Sequence, residues 1–207
     1  MYFDEQYIDI AIYIAQQGIG YTFPNPSVGC LIVEYEKDYK NRKIVSFGRT
    51  QAGGNPHAES VALDLVNFKK NKKYICYSSL EPCSHEGKSG SCAKKITERP
   101  INEVVFSLLD PDIRVNGKGK NFLIDSGIEV RNGILKSKAF NLYAGHYMNK
   151  LKKRPKVTLK IAASTDGKIG FLRKKTNITN KKLKQYTFQL RMESDAILIG
   201  SNTARVD

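Results

Sequence analysis

A chain of 207 residues, 41% hydrophobic and 10% aromatic, has the material for one ample globular domain, or for one domain and part of a second. No apolar run approaches the roughly 20 residues of a membrane-spanning helix. The start, Met1 to Glu5, lacks the basic and apolar regions of a signal peptide, so a cytoplasmic location is expected and no membrane partner. The net charge is +14, and Leu151 to Asp207 carries 14 Lys and Arg against four Asp and Glu, leaving only +4 for the first 150 residues. This excess reads as a solvated, Lys-rich surface. In functional terms it favours a phosphate-bearing substrate over a polynucleotide, because aromatic residues do not interleave with the charges.

In chain order, Asp4 to Gln17 places Ile8, Ala11, Ile12, Ile14 and Ala15 at helical spacing, and Gly18 and Gly20 end that helix. Val28 to Val33 and Lys43 to Gly48 form an expected hairpin around a charged loop. After the Gly53-Gly54-Asn55-Pro56 turn, His57 to Phe68 has helical spacing. Tyr74 to Leu80, Glu103 to Leu109 and Ile128 to Ile134 are expected strands. They alternate with helices over Cys92 to Arg99, Gly117 to Asp125 and Ser137 to Lys150. The alternation argues an α/β sandwich around a mixed sheet. Lys152-Lys153-Arg154-Pro155 punctuates the chain, and a boundary near Leu151 divides it into 1–150 and 151–207. Beyond it, Val157 to Ala163 and Ala196 to Gly200 read as strands, Asp166-Gly167 as a turn and Lys181 to Glu193 as a helix.

The chemistry concentrates in His57-Ala58-Glu59, Glu81-Pro82-Cys83 and Cys92. One imidazole and two thiolates suit tetrahedral zinc with a fourth position open for water. A carboxylate two residues from the His is placed to move protons beside that water. His57, Cys83 and Cys92 are therefore the expected metal ligands and Glu59 the catalytic proton carrier. Nucleobase-type zinc deaminases usually carry H-x-E with P-C-x-x-C, whereas eight residues separate Cys83 from Cys92 here. His85 as a fourth ligand would strain a tetrahedron shared with Cys83. The other two cysteines, Cys30 and Cys76, lie in apolar strands and read as buried reduced thiols.

With that spacing, the chain resembles the bifunctional riboflavin-biosynthesis deaminase–reductase family. Asn25-Pro26-Ser27-Val28-Gly29, His57-Ala58-Glu59, Glu81-Pro82-Cys83-Ser84-His85-Glu86-Gly87-Lys88 through Cys92, and Asp110-Pro111 with Val115-Asn116-Gly117-Lys118-Gly119 carry the resemblance. It implies a cytidine-deaminase-like three-layer α/β/α sandwich over 1–150, followed by the beginning of a dihydrofolate-reductase-like α/β domain. The implied reaction is zinc-dependent hydrolytic deamination of a phosphorylated diaminopyrimidinone ribosylamine. Asn25, His85 and Lys88 fall at substrate-binding positions. Two places depart from the family pattern: Gly90-Ser91 stands where two prolines usually precede the last Cys, which predicts a looser hold on Cys92, and Thr50 stands where the turn before the zinc His often carries another His.

Lys160 to Ile169, Ile178-Thr179 and Ser194 to Gly200 resemble the opening of the reductase half. There Ala162, Thr203 and Asp207 match NADPH positions and Arg191 a substrate position. NADPH is implied only for a complete reductase domain, and the chain is expected to be a fragment or truncation without productive reduction. A homo-oligomer is compatible with the sequence, and no nucleic acid is expected. The competing readings are a tRNA adenosine deaminase and a non-catalytic, zinc-stabilised nucleic-acid-binding module.

Overall fold

The computed structural model describes residues 2–36, 39–85, 90–171 and 176–206. They divide into two compact units, Met1–Lys156 and Val157–Asp207.

In the first unit, α1 (Tyr2–Gln16) buries Ile8, Ala11, Ile12 and Ala15 completely, the stripe that its apolar spacing dictates. Asp4 and Glu5 occupy its first turn, where carboxylates suit the helix dipole. The hairpin of β1 (Gly29–Tyr35) and β2 (Lys43–Arg49) forms as expected, with antiparallel pairing and a bulge between Ile32 and Val33. The remaining strands are β3 (Lys73–Leu80), β4 (Glu103–Leu108) and β5 (Glu129–Asn132).

These strands make one five-stranded sheet in the order β2-β1-β3-β4-β5. β1 and β3 are antiparallel, while β3–β4 and β4–β5 are parallel, so the sheet is mixed. β1 and β4 are buried along their whole length and β3 beyond its first residue, as expected for strands covered on both faces. Helices α1 and α5 (Lys136–Lys152) pack on one face, and α2 (Ala58–Asp64), α3 (Cys92–Thr97) and α4 (Lys118–Asp125) on the other. This is the three-layer α/β/α sandwich that the sequence implied.

Two glycines let the layers approach. A Cβ on Gly29 would overlap the Ala11 carbonyl oxygen of α1, and one on Gly48 the Ala58 carbonyl oxygen of α2. α2 ends at Asp64, four residues before the expected Phe68. Phe68 owes its apolar signal instead to a loop contact, edge-on to the Tyr74 ring at 4.8 Å. Cys30 and Cys76 are free thiols, both fully buried, with sulfurs 3.5 Å apart.

The second unit contains α6 (Lys181–Met192) and α7 (Ser201–Val206). Asn180 caps α6 by accepting the Leu183 amide at 3.0 Å. The Asp166-Gly167 turn forms, closed by the Gly167 amide on the Ser164 carbonyl. The strands expected over 157–163 and 196–200 do not: both segments lack ladder partners among the described residues. Apolar composition favours extension, but a strand exists only where a neighbour takes its amides and carbonyls. Leu198 is accordingly 100% exposed. Among the described residues, no helix is long and apolar enough to cross a membrane.

Candidate active site

The site lies beyond the carboxyl ends of the parallel strands β3 and β4, where open α/β sheets hold ligands. Its first limb is the turn before α2. Asn25 Nδ2 donates to the Gly54 carbonyl at 2.9 Å and so braces the Gly-Gly turn. His57 then occupies the extended N-cap position of α2, and Glu59 falls in the first turn. The second limb leaves β3 as Glu81-Pro82-Cys83, and the third is the start of α3 at Cys92.

These limbs bring one atom each from His57, Cys83 and Cys92 within 4.8 Å of one another. His57 Nδ1 lies 3.6 Å from Cys83 Sγ and 3.3 Å from Cys92 Sγ. A tetrahedral ion with about 2.3 Å bonds to sulfur and about 2.0 Å to nitrogen needs S···N edges of about 3.5 Å. The donor set therefore fits zinc, with three protein ligands and no fourth among the described residues.

The electrostatics agree. The Cys92 thiol, aimed at Cys83, holds the Cys83 sulfur down to about 4, and His57 acts in the same direction. The proton is kept on Cys92, which Cys83 and burial push up. The Cys83 thiolate in turn raises the His57 imidazole. Glu59, 3% exposed, is pushed above the ordinary carboxyl range by burial, and its Oε1 accepts from Ser78 Oγ at 3.0 Å.

A cavity of about 320 Å³ opens over this group. Asn25, His57, Glu59, Cys83 and His85 line it together, and Thr50 joins them. Thr50 Oγ1 accepts the Val28 amide at 3.0 Å, which fixes this part of the lining. His85 Nδ1 is buried and has no hydrogen-bond partner among the described residues. Lys88 and Asp207 lie outside the described residues. Ala162, Arg191 and Thr203 belong to the second unit, where Ala162 is partly buried and the other two are exposed. Arg191 sets its guanidinium 5.7 Å from the Phe188 ring centroid.

From sequence, no role fell to Ser78, to Glu81 and Asp110 beyond their places in the motifs, or to the rest of the charged lining. Glu81 accepts three backbone amides, from Asp110, Gly117 and Lys120, at 3.0 Å each. It thereby ties the loop after β4 to the strand end that carries Cys83. The far wall is Asp110, Asp112, Arg114, His146 and Lys150. The available signal was the spacing of His146 and Lys150 on one face of α5.

A mixed sheet with a His-Cys-Cys donor set and a buried carboxylate at its strand ends defines a zinc-binding, deaminase-type α/β domain. The family model of the cytidine and deoxycytidylate deaminase zinc-binding region matches residues 1–108, and the chain belongs to that family. A second model, the RibD C-terminal domain, matches residues 155–207. The chain is similar to the riboflavin biosynthesis protein RibD of Aquifex aeolicus, 37% identical over 99% of this chain and 56% of that protein. The RibD protein of Escherichia coli is 36% identical over 99% of this chain and 54% of its own length. Among solved structures, Acinetobacter baumannii RibD superposes with a TM-score of 0.87 at 33% identity, over 99% of this chain and 56% of that one. The Thermotoga maritima diaminohydroxyphosphoribosylaminopyrimidine deaminase/5-amino-6-(5-phosphoribosylamino)uracil reductase gives 0.84 at 32% identity, over 100% of this chain and 58% of that one. The chain thus spans about half the length of the relatives it matches.

Proposed function

We propose that this chain hydrolytically deaminates 2,5-diamino-6-(5-phosphoribosylamino)pyrimidin-4(3H)-one in riboflavin biosynthesis, as a cytoplasmic enzyme. Residues 1–150 are the deaminase domain and 151–207 a reductase-type segment. The observation that carries this reading is the buried Glu59 carboxyl lining the same cavity as His57 and Cys83, whose donor atoms cluster with that of Cys92. A cavity of about 320 Å³ suits a small ligand.

Zinc, when bound by His57, Cys83 and Cys92, supplies a Lewis acid that lowers the pKa of water towards about 7. Glu59 takes a proton from the attacking water and delivers it to the departing amine. One C–O bond forms, one C–N bond breaks, and ammonia leaves with the transferred proton. A carboxyl raised by burial holds and releases a proton closer to neutrality than a solvated one. Ser78 holds the carboxylate in register for both transfers. Asn25 and His85 bind the substrate at the cavity wall, the latter with its buried, unpartnered Nδ1, and Lys88 joins them.

For 151–207, Ala162, Thr203 and Asp207 are the proposed NADPH contacts and Arg191 a substrate contact. Reduction is not expected from this segment by itself, because 157–163 and 196–200 have no ladder partners among the described residues. A tRNA adenosine deaminase is less well supported, since similarity to RibD runs along 99% of the chain. A structural zinc module would use four protein ligands where three are found among the described residues.

The test is ammonia release from the phosphorylated diaminopyrimidinone by the zinc-loaded chain. Glu59→Gln should retain zinc and lose about 10²-fold or more of the turnover. Undiminished turnover in that variant would overturn the role of Glu59, and no release by the native chain would overturn the reaction.

A further inference from the structure

The lining of the cavity also carries charges to which the reaction above assigns no role. Asp112, 8% exposed, is their centre. Arg114 grips it with two donors, Nε at 3.0 Å from Oδ1 and Nη2 at 2.7 Å from Oδ2. Lys150 Nζ donates to the same Oδ2 at 2.8 Å. Lys150 comes from α5, one turn after His146, whose Nε2 lies 3.1 Å from Asp110 Oδ1.

Two cations share the Asp112 carboxylate, while the second carboxylate of this wall, Asp110, is turned to the Asp112 amide and to His146 Nε2. Arg114 uses two of its five N–H donors on Asp112 and Lys150 one of its three, so donors remain for another acceptor. The bidentate grip holds the guanidinium plane, which lowers the ordering cost of a second anion. Glu81 does not offset this charge at the surface, because it is buried and occupied by three backbone amides. Arg114 is 64% exposed and Lys150 30%, so the pair stands at the mouth of the cavity rather than its floor. A doubly charged phosphate there would meet two cations without being stripped of water.

We propose that Arg114 and Lys150, held in place by Asp112, form an anion subsite at the cavity mouth that takes the 5′-phosphate of the substrate. The proposal rests on the deaminase reading for the identity of the phosphate, and it sets the specificity of that site for the phosphorylated over the dephosphorylated pyrimidine.

Two measurements on the full zinc-loaded chain test it. The first is calorimetric binding of ribose 5-phosphate, which needs no turnover. Lys150→Met and Arg114→Gln should each weaken it about tenfold or more, the usual loss for one charge-assisted hydrogen bond. Lys150→Arg, which keeps the charge, should stay near the native affinity. The second is ammonia release from the phosphorylated and dephosphorylated pyrimidines. Each neutral variant should raise KM for the former alone. Native-like ribose 5-phosphate binding in both neutral variants overturns the subsite, and so does an equal rise in KM for the two substrates. If neither pyrimidine releases ammonia, the deaminase reading fails while the binding measurement still decides the subsite.

Discussion

Ser78 Oγ donates to Glu59 Oε1 at 3.0 Å, joining the middle of β3 to the first turn of α2. Ser78 has no exposed surface and pairs with Cys30 across the β1–β3 ladder, so its hydroxyl has no water to turn to. A proton carrier must present its oxygens at a fixed angle to two different atoms in succession. Ser78→Ala should therefore lower kcat about tenfold, the equivalent of one hydrogen bond, while zinc content and KM stay native. Steady-state kinetics with metal analysis checks this, and a native kcat would show that other contacts orient Glu59.

Gly48 sets the distance between β2 and α2. A Cβ there would overlap the Ala58 carbonyl oxygen and crowd the Ala62 amide, both on the helix backbone. Backbone cannot rotate aside, so Gly48→Ala must push α2 outward with His57 at its N-cap and Glu59 in its first turn. The expected result is a loss of about 1–3 kcal/mol in stability, typical of overpacking, together with weaker zinc retention against a chelator. Thermal melting with retention of native zinc affinity would mean that α2 moves as a rigid unit with the cysteine limb.

The metal centre was legible because its residues sit in local motifs: a turn before His57, a strand end before Cys83 and a helix start at Cys92. The α/β class and the mixed sheet followed from the alternation of apolar runs. The looser hold on Cys92 expected from Gly90-Ser91 is corrected by Ser91 itself. Its Oγ caps α3 by accepting the Lys94 amide at 3.2 Å and donates to the Cys83 carbonyl at 3.1 Å, so it fastens both thiolate limbs. An N-cap serine before a helical run was a readable signal. The meeting of Asp112 with Lys150 was not readable. Asp112 and Lys150 meet only because the sheet places the end of β4 beside the last turns of α5, and no local pattern encodes a contact 38 residues apart. The segments 157–163 and 196–200 mark the opposite failure, since apolar extension was legible but a pairing partner is not a property of the segment.

Zinc loading should release protons. Cys83 is held low by the neighbouring thiol while Cys92 is pushed up, so the two sulfurs share a proton. The His57 imidazole is raised by the same thiolate. All three must bind deprotonated. Calorimetry in buffers of different ionisation heat at pH 7 should report about one proton released per zinc, more as pH falls and His57 charges, with affinity falling in parallel. A release of zero would mean that both thiols are already ionised.

Asp112 makes the fold sensitive to acid. The Arg114 guanidinium, with Lys150 beside it, holds the Asp112 carboxyl well below the usual carboxylate range. Because its folded-state value is depressed, the stabilisation is fully present above its unfolded value of about 3.9 and is lost as pH falls from there towards the folded value. Arg114 is mostly exposed, so solvent screening limits the contribution to about 1 kcal/mol. Asp112→Asn should consequently be less stable than the native chain at pH 7 and lose less stability on acidification below about pH 4. Urea midpoints measured at pH 7 and at about pH 3 test the sign. If the two proteins differ by the same amount at both values, the carboxylate is not the group that the cations stabilise.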